Sequence, residues 1–184
     1  MSKIDFKRPD HEALKHTILV QEHLKSEVNN HQGWLSFHDF MNFVLYKPTL
    51  GYYSAGTHKI GSGGDFTTAP EISNLFGVAI ANQLLPALRR YKKPSILEIG
   101  AGSGKLALDV INHLSNSNLE LDHYYILEIS GDLRKRQKRT LSQLPTETKV
   151  KIKWLDEIPE EGIEGALIAN EVIDALPFER FKII

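Results

Sequence analysis

Apolar positions recur at two different periods along this chain, and the period changes near residue 93. Before that point, hydrophobic residues return at helical spacing. Leu14, Ile18, Leu24 and Val28 form a loose stripe that predicts a helix over residues 11–28. The run Leu35-Ser36-Phe37-His38-Asp39-Phe40 marks a sharper helix start. Ser36 is the expected cap, Asp39 occupies the return position of a capping box, and Leu35 is placed to staple onto Phe40. That helix is expected to bury Phe37, Phe40, Met41 and Val44 and to stop before Pro48. Residues 61–68 read as loop from their glycine content. Thr68 and Glu71 form a second possible capping box with Pro70 in its first turn. The helix beyond them carries Ile72, Leu75, Phe76, Ala79, Ile80 and Leu84, and is expected to end or bend near Pro86.

From Ser95 onward the pattern alternates strand and helix. Strands are expected at 95–99, 123–128, 149–154 and 165–169, with helices at 104–114 and 132–143. Short apolar strands joined by helical crossovers indicate a parallel sheet covered on both faces. Residues 155–164 are too few for a full helical crossover, so that connection is expected to be irregular. Right-handed crossovers bring the strand tips to one edge, where open α/β sheets bind ligands. The change of period divides the chain into residues 1–92, a helical and glycine-rich region, and residues 93–184, the sheet region.

Composition narrows the class. A chain of 184 residues with 41% hydrophobic content can bury a real core. A net charge of -1 gives the whole molecule no attraction for polyanions, so nucleic acid is not an expected partner. The basic run Arg134-Lys135-Arg136-Gln137-Lys138-Arg139 reads as a solvated helix face rather than a phosphate contact. Cysteine is absent, which removes disulfides and thiolate chemistry, and the eight histidines contain no His-Glu-x-x-His arrangement; no metal is expected. Trp34 and Trp154 read as packing residues. No apolar run reaches the length of a membrane span. The first ten residues carry three basic and two acidic side chains without a signal-peptide core, which makes cytoplasm the expected location.

The chemistry is concentrated in Ser95-Ile96-Leu97-Glu98-Ile99-Gly100-Ala101-Gly102-Ser103-Gly104-Lys105-Leu106, an apolar strand ending in three alternating glycines. Glycines at a strand-to-helix turn let the backbone crowd a ligand and aim N–H groups at it. A phosphate-binding P-loop is excluded, because Ile99 and Leu106 stand where that motif needs Gly and Ser or Thr. The dinucleotide fingerprint Gly-x-Gly-x-x-Gly also differs from the Gly-x-Gly-x-Gly found here. A plain glycine-rich turn would give the same residues, so the acidic neighbours matter. Glu98 lies within the first strand. Glu128 ends the second, where a carboxylate is placed to accept hydrogen bonds from vicinal ribose hydroxyls.

Glu98 to Gly104 resembles motif I of the class I S-adenosylmethionine-dependent methyltransferases. Three further segments are similar to the MidA/NDUFAF7 family: Gly51-Tyr52-Tyr53, Gly64-Asp65-Phe66-Thr67-Thr68-Ala69-Pro70-Glu71-Ile72, and Ala169-Asn170-Glu171-Val172-Ile173-Asp174-Ala175-Leu176-Pro177. The resemblance implies an α/β fold, a Rossmann-like parallel sheet preceded by an N-terminal helical region, with S-adenosyl-L-methionine as cofactor. It implies that Gly100, Gly102, Gly104, Glu98 and Glu128 bind the cofactor. Asp65, Phe66, Thr67 and Thr68 are expected to fold back over the same pocket, although Thr68 also reads as a helix cap. Asn170, Glu171 and Asp174 are expected on the methyl-acceptor side, where carboxylates would pair with a guanidinium. The family's mitochondrial members resemble protein arginine methyltransferases acting in respiratory complex I assembly, which implies a protein substrate. Family members continue well past the fourth strand, so the sheet is expected to be incomplete here and completed by a partner chain or a missing C-terminal half. The other reading is a non-catalytic protein that works through protein contacts. An RNA or small-molecule acceptor is the remaining alternative, since the scaffold alone does not choose one.

Overall fold

The computed structural model describes residues 9–54 and 67–183. Two units are distinguished, Met1–Gly56 with Ala175–Ile184, and Thr57–Asp174, and each is described by itself.

In the first unit, helix α1 spans His11–Asn30 and is capped by Asp10, whose carboxylate accepts from Ala13 N–H at 2.8 Å. Its apolar stripe is only partly covered: Leu24 and Val28 are half-buried, whereas Leu14 and Ile18 are exposed. Helix α2 covers Phe37–Tyr46 and starts as expected. Ser36 Oγ accepts from Asp39 N–H at 3.0 Å and donates to Asp39 Oδ2 at 2.9 Å. The expected burial of Phe40 is not found. The residue that α2 buries is Phe43, while Phe37, Met41 and Val44 are half-buried and Phe40 is exposed. Phe37 instead packs on Phe178 with ring centroids 5.1 Å apart, and Tyr46 Oη donates to the Ala175 carbonyl at 2.8 Å. Trp34, expected as a packing residue, is 71% exposed.

The second unit carries the sheet. Strands β1 (Ser95–Ile99), β2 (His123–Leu127), β3 (Lys151–Leu155) and β4 (Gly165–Ile168) form a parallel sheet in the order β3-β2-β1-β4. The central position of β1 explains its composition, since Ser95 to Glu98 are all buried. Helices α5 (Lys105–Asn116) and α6 (Gly131–Leu141) supply the crossovers, and residues 156–164 connect β3 to β4 irregularly, as expected. The core gathers Ile96, Tyr124, Ile126 and Ile168 from the sheet with Ala107, Val110, Ile111 and Leu114 from α5.

The helical segment before the sheet is broken in two. Helix α3 is the single turn Ala69–Ile72, and α4 spans Leu75–Leu88. Ser73 between them is extended, with φ -157° and ψ 145°, and its Oγ accepts from Leu75 N–H at 3.1 Å. The break leaves Ile72 and Leu75 exposed rather than buried in one stripe. Pro86 is tolerated close to the end of α4. Helix α4 presses directly on α5: a Cβ at Gly77 would lie 2.5 Å from Asp109 Cβ.

Candidate functional site

The turn between β1 and α5 is held in a backbone form that only glycine enters freely. Gly100, Gly102 and Gly104 have φ values of 65°, 53° and 82°. Gly100 N–H donates to Leu127 O at 2.9 Å, which continues the β1–β2 ladder by one bond before the chain leaves the sheet. Two neighbours then fix the turn from outside. A Cβ at Gly100 would meet Val172 Cγ2 at 2.8 Å, and one at Gly104 would meet Gln137 Cα at 3.1 Å. The alternating glycines thus serve both the left-handed turns and the close approach of the segments that follow β4 and form α6.

Beneath the turn, Glu98 is 2% exposed and accepts from Tyr124 Oη at 2.7 Å. Burial pushes its carboxyl pKa up to about 7, against the Tyr124 hydrogen bond, which favours the charged form. Glu128, just past β2, is 6% exposed. Its Oε1 accepts from Ser130 N–H at 2.9 Å and its Oε2 from Gln137 Nε2 at 3.0 Å. Burial raises the Glu128 pKa, and these two donors oppose the rise. A carboxylate offers about four lone-pair sites, so acceptor capacity remains for hydroxyl donors beside these bonds. A diol-bearing ligand fits that donor set.

Further contacts brace the turn. Ser103 Oγ donates to Glu71 Oε1, which ties the glycine turn to α3, and Lys105 pairs with Asp109 one turn along α5. Arg134 Nε donates to the Glu128 carbonyl at 2.6 Å, and its Nη2 to the Leu155 carbonyl and Asp156 Oδ1, each at 2.7 Å. One guanidinium therefore joins the tips of β2 and β3.

The remaining sequence-derived candidates fall as follows. Thr67 is exposed and Thr68 half-buried; the Thr68 side chain makes no capping bond, and Glu71 is turned to Ser103 instead. The capping-box expectation at this position therefore fails. Asp65 and Phe66 lie outside the described residues. Asn170 is half-buried just beyond β4, Glu171 beside it is exposed with φ 52°, and Asp174 is exposed within the 3-10 turn Ile173–Ala175. Among the described residues no group of three His, Asp or Glu side chains is arranged to hold a metal ion.

The residues that sequence reasoning missed are Gln137, Trp154 and Tyr124. The solvated face expected on α6 holds for Lys135, Lys138 and Arg139, which are exposed, but not for Gln137, which is 0% exposed, or for the half-buried Arg134. A signal was available. Gln137 is the one uncharged residue in its run, and it falls between Leu133 and Leu141 at four-residue spacing. A cleft of about 360 Å³ in the first unit, lined in part by Glu27, Asp39 and Lys47, has its charges paired internally. Lys47 Nζ lies 3.6 Å from Glu27, and Asp39 takes the Ser36 hydroxyl.

A parallel sheet with a left-handed glycine turn after β1 and a buried carboxylate at the tip of β2 defines a Rossmann-like nucleoside-cofactor fold. Comparison with known proteins gives the family. Residues 79–183 match the family described as "Putative S-adenosyl-L-methionine-dependent methyltransferase". The chain belongs to this family, the MidA/NDUFAF7 group of S-adenosylmethionine-dependent methyltransferases. It is similar to the mitochondrial protein arginine methyltransferase NDUFAF7 homolog of Drosophila melanogaster, at 30% identity over 79% of this chain and 38% of the relative. The corresponding Caenorhabditis elegans protein is 28% identical over 98% of this chain and 47% of its own length. A crystal structure of a Burkholderia thailandensis protein bound to S-adenosyl-homocysteine superposes with a TM-score of 0.85 at 38% identity, over 94% of this chain and 46% of that one.

The chain thus spans less than half the length of each of these relatives. The expected fold and the family's cofactor, S-adenosylmethionine, both stand. The cytoplasmic expectation does not. The curated relatives are mitochondrial proteins, and the charge signs of ten residues carry no address for a protein. No helix among the described residues is long and apolar enough to cross a membrane.

Proposed function

We propose that this chain binds S-adenosyl-L-methionine at the Gly100–Gly104 turn and belongs to a methyltransferase that modifies arginine side chains of a protein substrate. The observation that carries the reading is the convergence of three positive-φ glycines on one turn with the buried Glu128 carboxylate beyond the neighbouring strand. When bound, the cofactor supplies an electrophilic methyl group on a sulfonium centre. Glu128 would accept from the ribose hydroxyls, and the glycine turn would lie against the methionine and ribose part. Glu98 supports the turn from below.

Asn170, Glu171 and Asp174 follow β4 and are the candidates for the acceptor side. Two exposed carboxylates are suited to an incoming guanidinium, which they can pair with bidentately and orient. Much of the rate enhancement would come from that positioning. Guanidinium is protonated at neutral pH, so methyl transfer must release a proton, and a carboxylate can offset the positive charge that builds on the guanidinium and take up that proton. The name carried by the curated relatives supports arginine over other acceptors, and those relatives also favour a mitochondrial setting. A role in respiratory complex assembly is the context that the family resemblance implies.

Calorimetry with S-adenosylmethionine and S-adenosyl-homocysteine tests the cofactor step, followed by mass spectrometry of arginine-containing proteins incubated with the chain. Glu128→Ala is expected to weaken binding by about tenfold or more, as for loss of a hydrogen bond to a charged group. A folded chain that binds neither compound would sink the reading. Binding without transfer to any protein would favour a non-catalytic role in protein contacts.

A further inference from the structure

Gln137 bridges three groups that the cofactor reading leaves separate. Its Nε2 donates to the Gly102 carbonyl at 3.1 Å and to Glu128 Oε2 at 3.0 Å. Its Oε1 accepts from Trp154 Nε1 at 2.9 Å. The side chain is 0% exposed, and among the described residues no buried side-chain polar atom lacks a partner.

The chemistry of the partners fixes which way the amide points. An indole N–H donates and never accepts, so the atom facing Trp154 must be the amide oxygen. That leaves both N–H bonds for two acceptors, one carbonyl and one carboxylate. The reversed amide would set donor against donor and oxygen against oxygen at all three contacts. Trp154 on β3 therefore orients Gln137 on α6, and Gln137 in turn links the glycine turn to the acidic residue after β2. Backbone packing adds to this: the Gln137 Cα lies where a Gly104 Cβ would approach it to 3.1 Å.

We infer that Gln137 is a positioning residue of the cofactor site, oriented by Trp154, which holds the Glu128 carboxylate and the Gly102 backbone in the relative placement that the cofactor requires. The inference rests on the reading that these two elements bind the cofactor. Gln137 acts through them and need not touch the ligand. The other charged groups that act on Glu128 are Glu98 from β1 and Arg134 from α6, and both are unchanged in the variants below.

The informative variant is Gln137→Glu, which keeps the shape and the acceptor for Trp154 but removes both N–H donors. At pH 8 a second carboxylate then faces Glu128, and S-adenosyl-homocysteine affinity is expected to fall by about tenfold or more. As pH is lowered to 6, the two carboxyls share a proton, a donor to Glu128 is restored, and affinity is expected to recover. The native chain lacks the second carboxyl, so it should show no such recovery beyond the change that Glu98, whose pKa lies at about 7, contributes equally to both profiles. A merely structural role for Gln137 would leave the two pH profiles parallel, and parallel profiles overturn the inference. If Gln137→Glu does not fold by circular dichroism, Trp154→Phe carries the test. It removes the N–H that pins the amide oxygen and leaves Gln137 Oε1 without its donor, so about threefold weaker binding is expected; unchanged affinity overturns the inference. Failure of the native chain to bind overturns the cofactor reading and this inference together. Native binding with unaffected variants overturns this inference alone.

Discussion

Tyr124 and Glu98 meet across the β1–β2 pair on the same face of the sheet, with the phenol donating to the carboxylate at 2.7 Å. Tyr124 is in register with Ile96, so Glu98, two residues on, is its diagonal neighbour. Both side chains are almost wholly buried, and burial pushes the phenol well above its ordinary range, so Tyr124 remains a donor at all physiological pH. The pair lies directly under the glycine turn and leaves the carboxyl close to half-protonated at neutral pH.

That arrangement has a pH consequence. A carboxyl whose pKa rises from 4.5 to about 7 on folding is favoured by the fold in its protonated form. Its stabilising contribution is complete below about 4.5 and is lost as pH rises through about 7. The full loss is on the order of 3 kcal/mol. Glu98→Gln keeps an acceptor for Tyr124 without the charge. It is expected to be more stable than the native chain at pH 8, with the difference closing near pH 5, as read by urea denaturation across that range. A constant difference would show that Glu98 does not titrate between folded and unfolded states.

Two glycines in left-handed backbone separate conformational strain from steric exclusion. Gly162 has φ 72° and nothing within 4 Å of an added Cβ, so Gly162→Ala should cost only about 1 kcal/mol from the backbone. Gly165 opens β4 with φ 149°, and its Cβ would lie 1.8 Å from the Ser95 carbonyl oxygen of β1. Gly165→Ala must push the strand away from its neighbour, and a loss of about 3 kcal/mol or more is expected. Chemical denaturation of the two variants would show similar losses if backbone strain alone decided the matter.

Sheet and helices differ in how much of their structure is legible in the sequence. Strand positions were legible because β1 and its neighbours are short apolar runs bounded by turn residues, and the glycine turn announced its conformation through spacing alone. The burial of Gln137 was hidden because it lies among five cations, and the partners that desolvate it, Gly102, Glu128 and Trp154, come from three other segments. The missing cap at Thr68 was hidden for a related reason. Thr68 and Glu71 have capping-box spacing, but Glu71 has a stronger partner in Ser103, a residue far along the chain. Local rules describe such residues only until a distant hydroxyl competes.

The two capping sequences give an internal control for that argument. Ser36 caps α2 through a bond to Asp39 N–H at 3.0 Å, whereas Thr68 precedes α3 without a side-chain cap bond. Ser36→Ala is expected to cost about 1 kcal/mol, within the range for a lost cap, and Thr68→Ala no more than about 0.5 kcal/mol. Thermal unfolding of both variants measures the contrast. An equal loss at Thr68 would mean that its hydroxyl is engaged with the helix after all.

Glu171 ties backbone strain to the proposed chemistry. It is a non-glycine residue with φ 52°, exposed, immediately after the half-buried Asn170. A glycine reaches this conformation without steric cost, so Glu171→Gly should stabilise the fold by about 0.5–1 kcal/mol if the backbone is otherwise unchanged. The carboxylate that would pair with a guanidinium is removed at the same time. S-adenosyl-homocysteine affinity is therefore expected to stay near the native value while methyl transfer to a protein substrate is lost. A variant that is more stable, binds the cofactor and fails only in transfer would place the function of Glu171 on the acceptor side. Native transfer rates in Glu171→Gly would remove it from the mechanism and leave the left-handed backbone without a functional explanation.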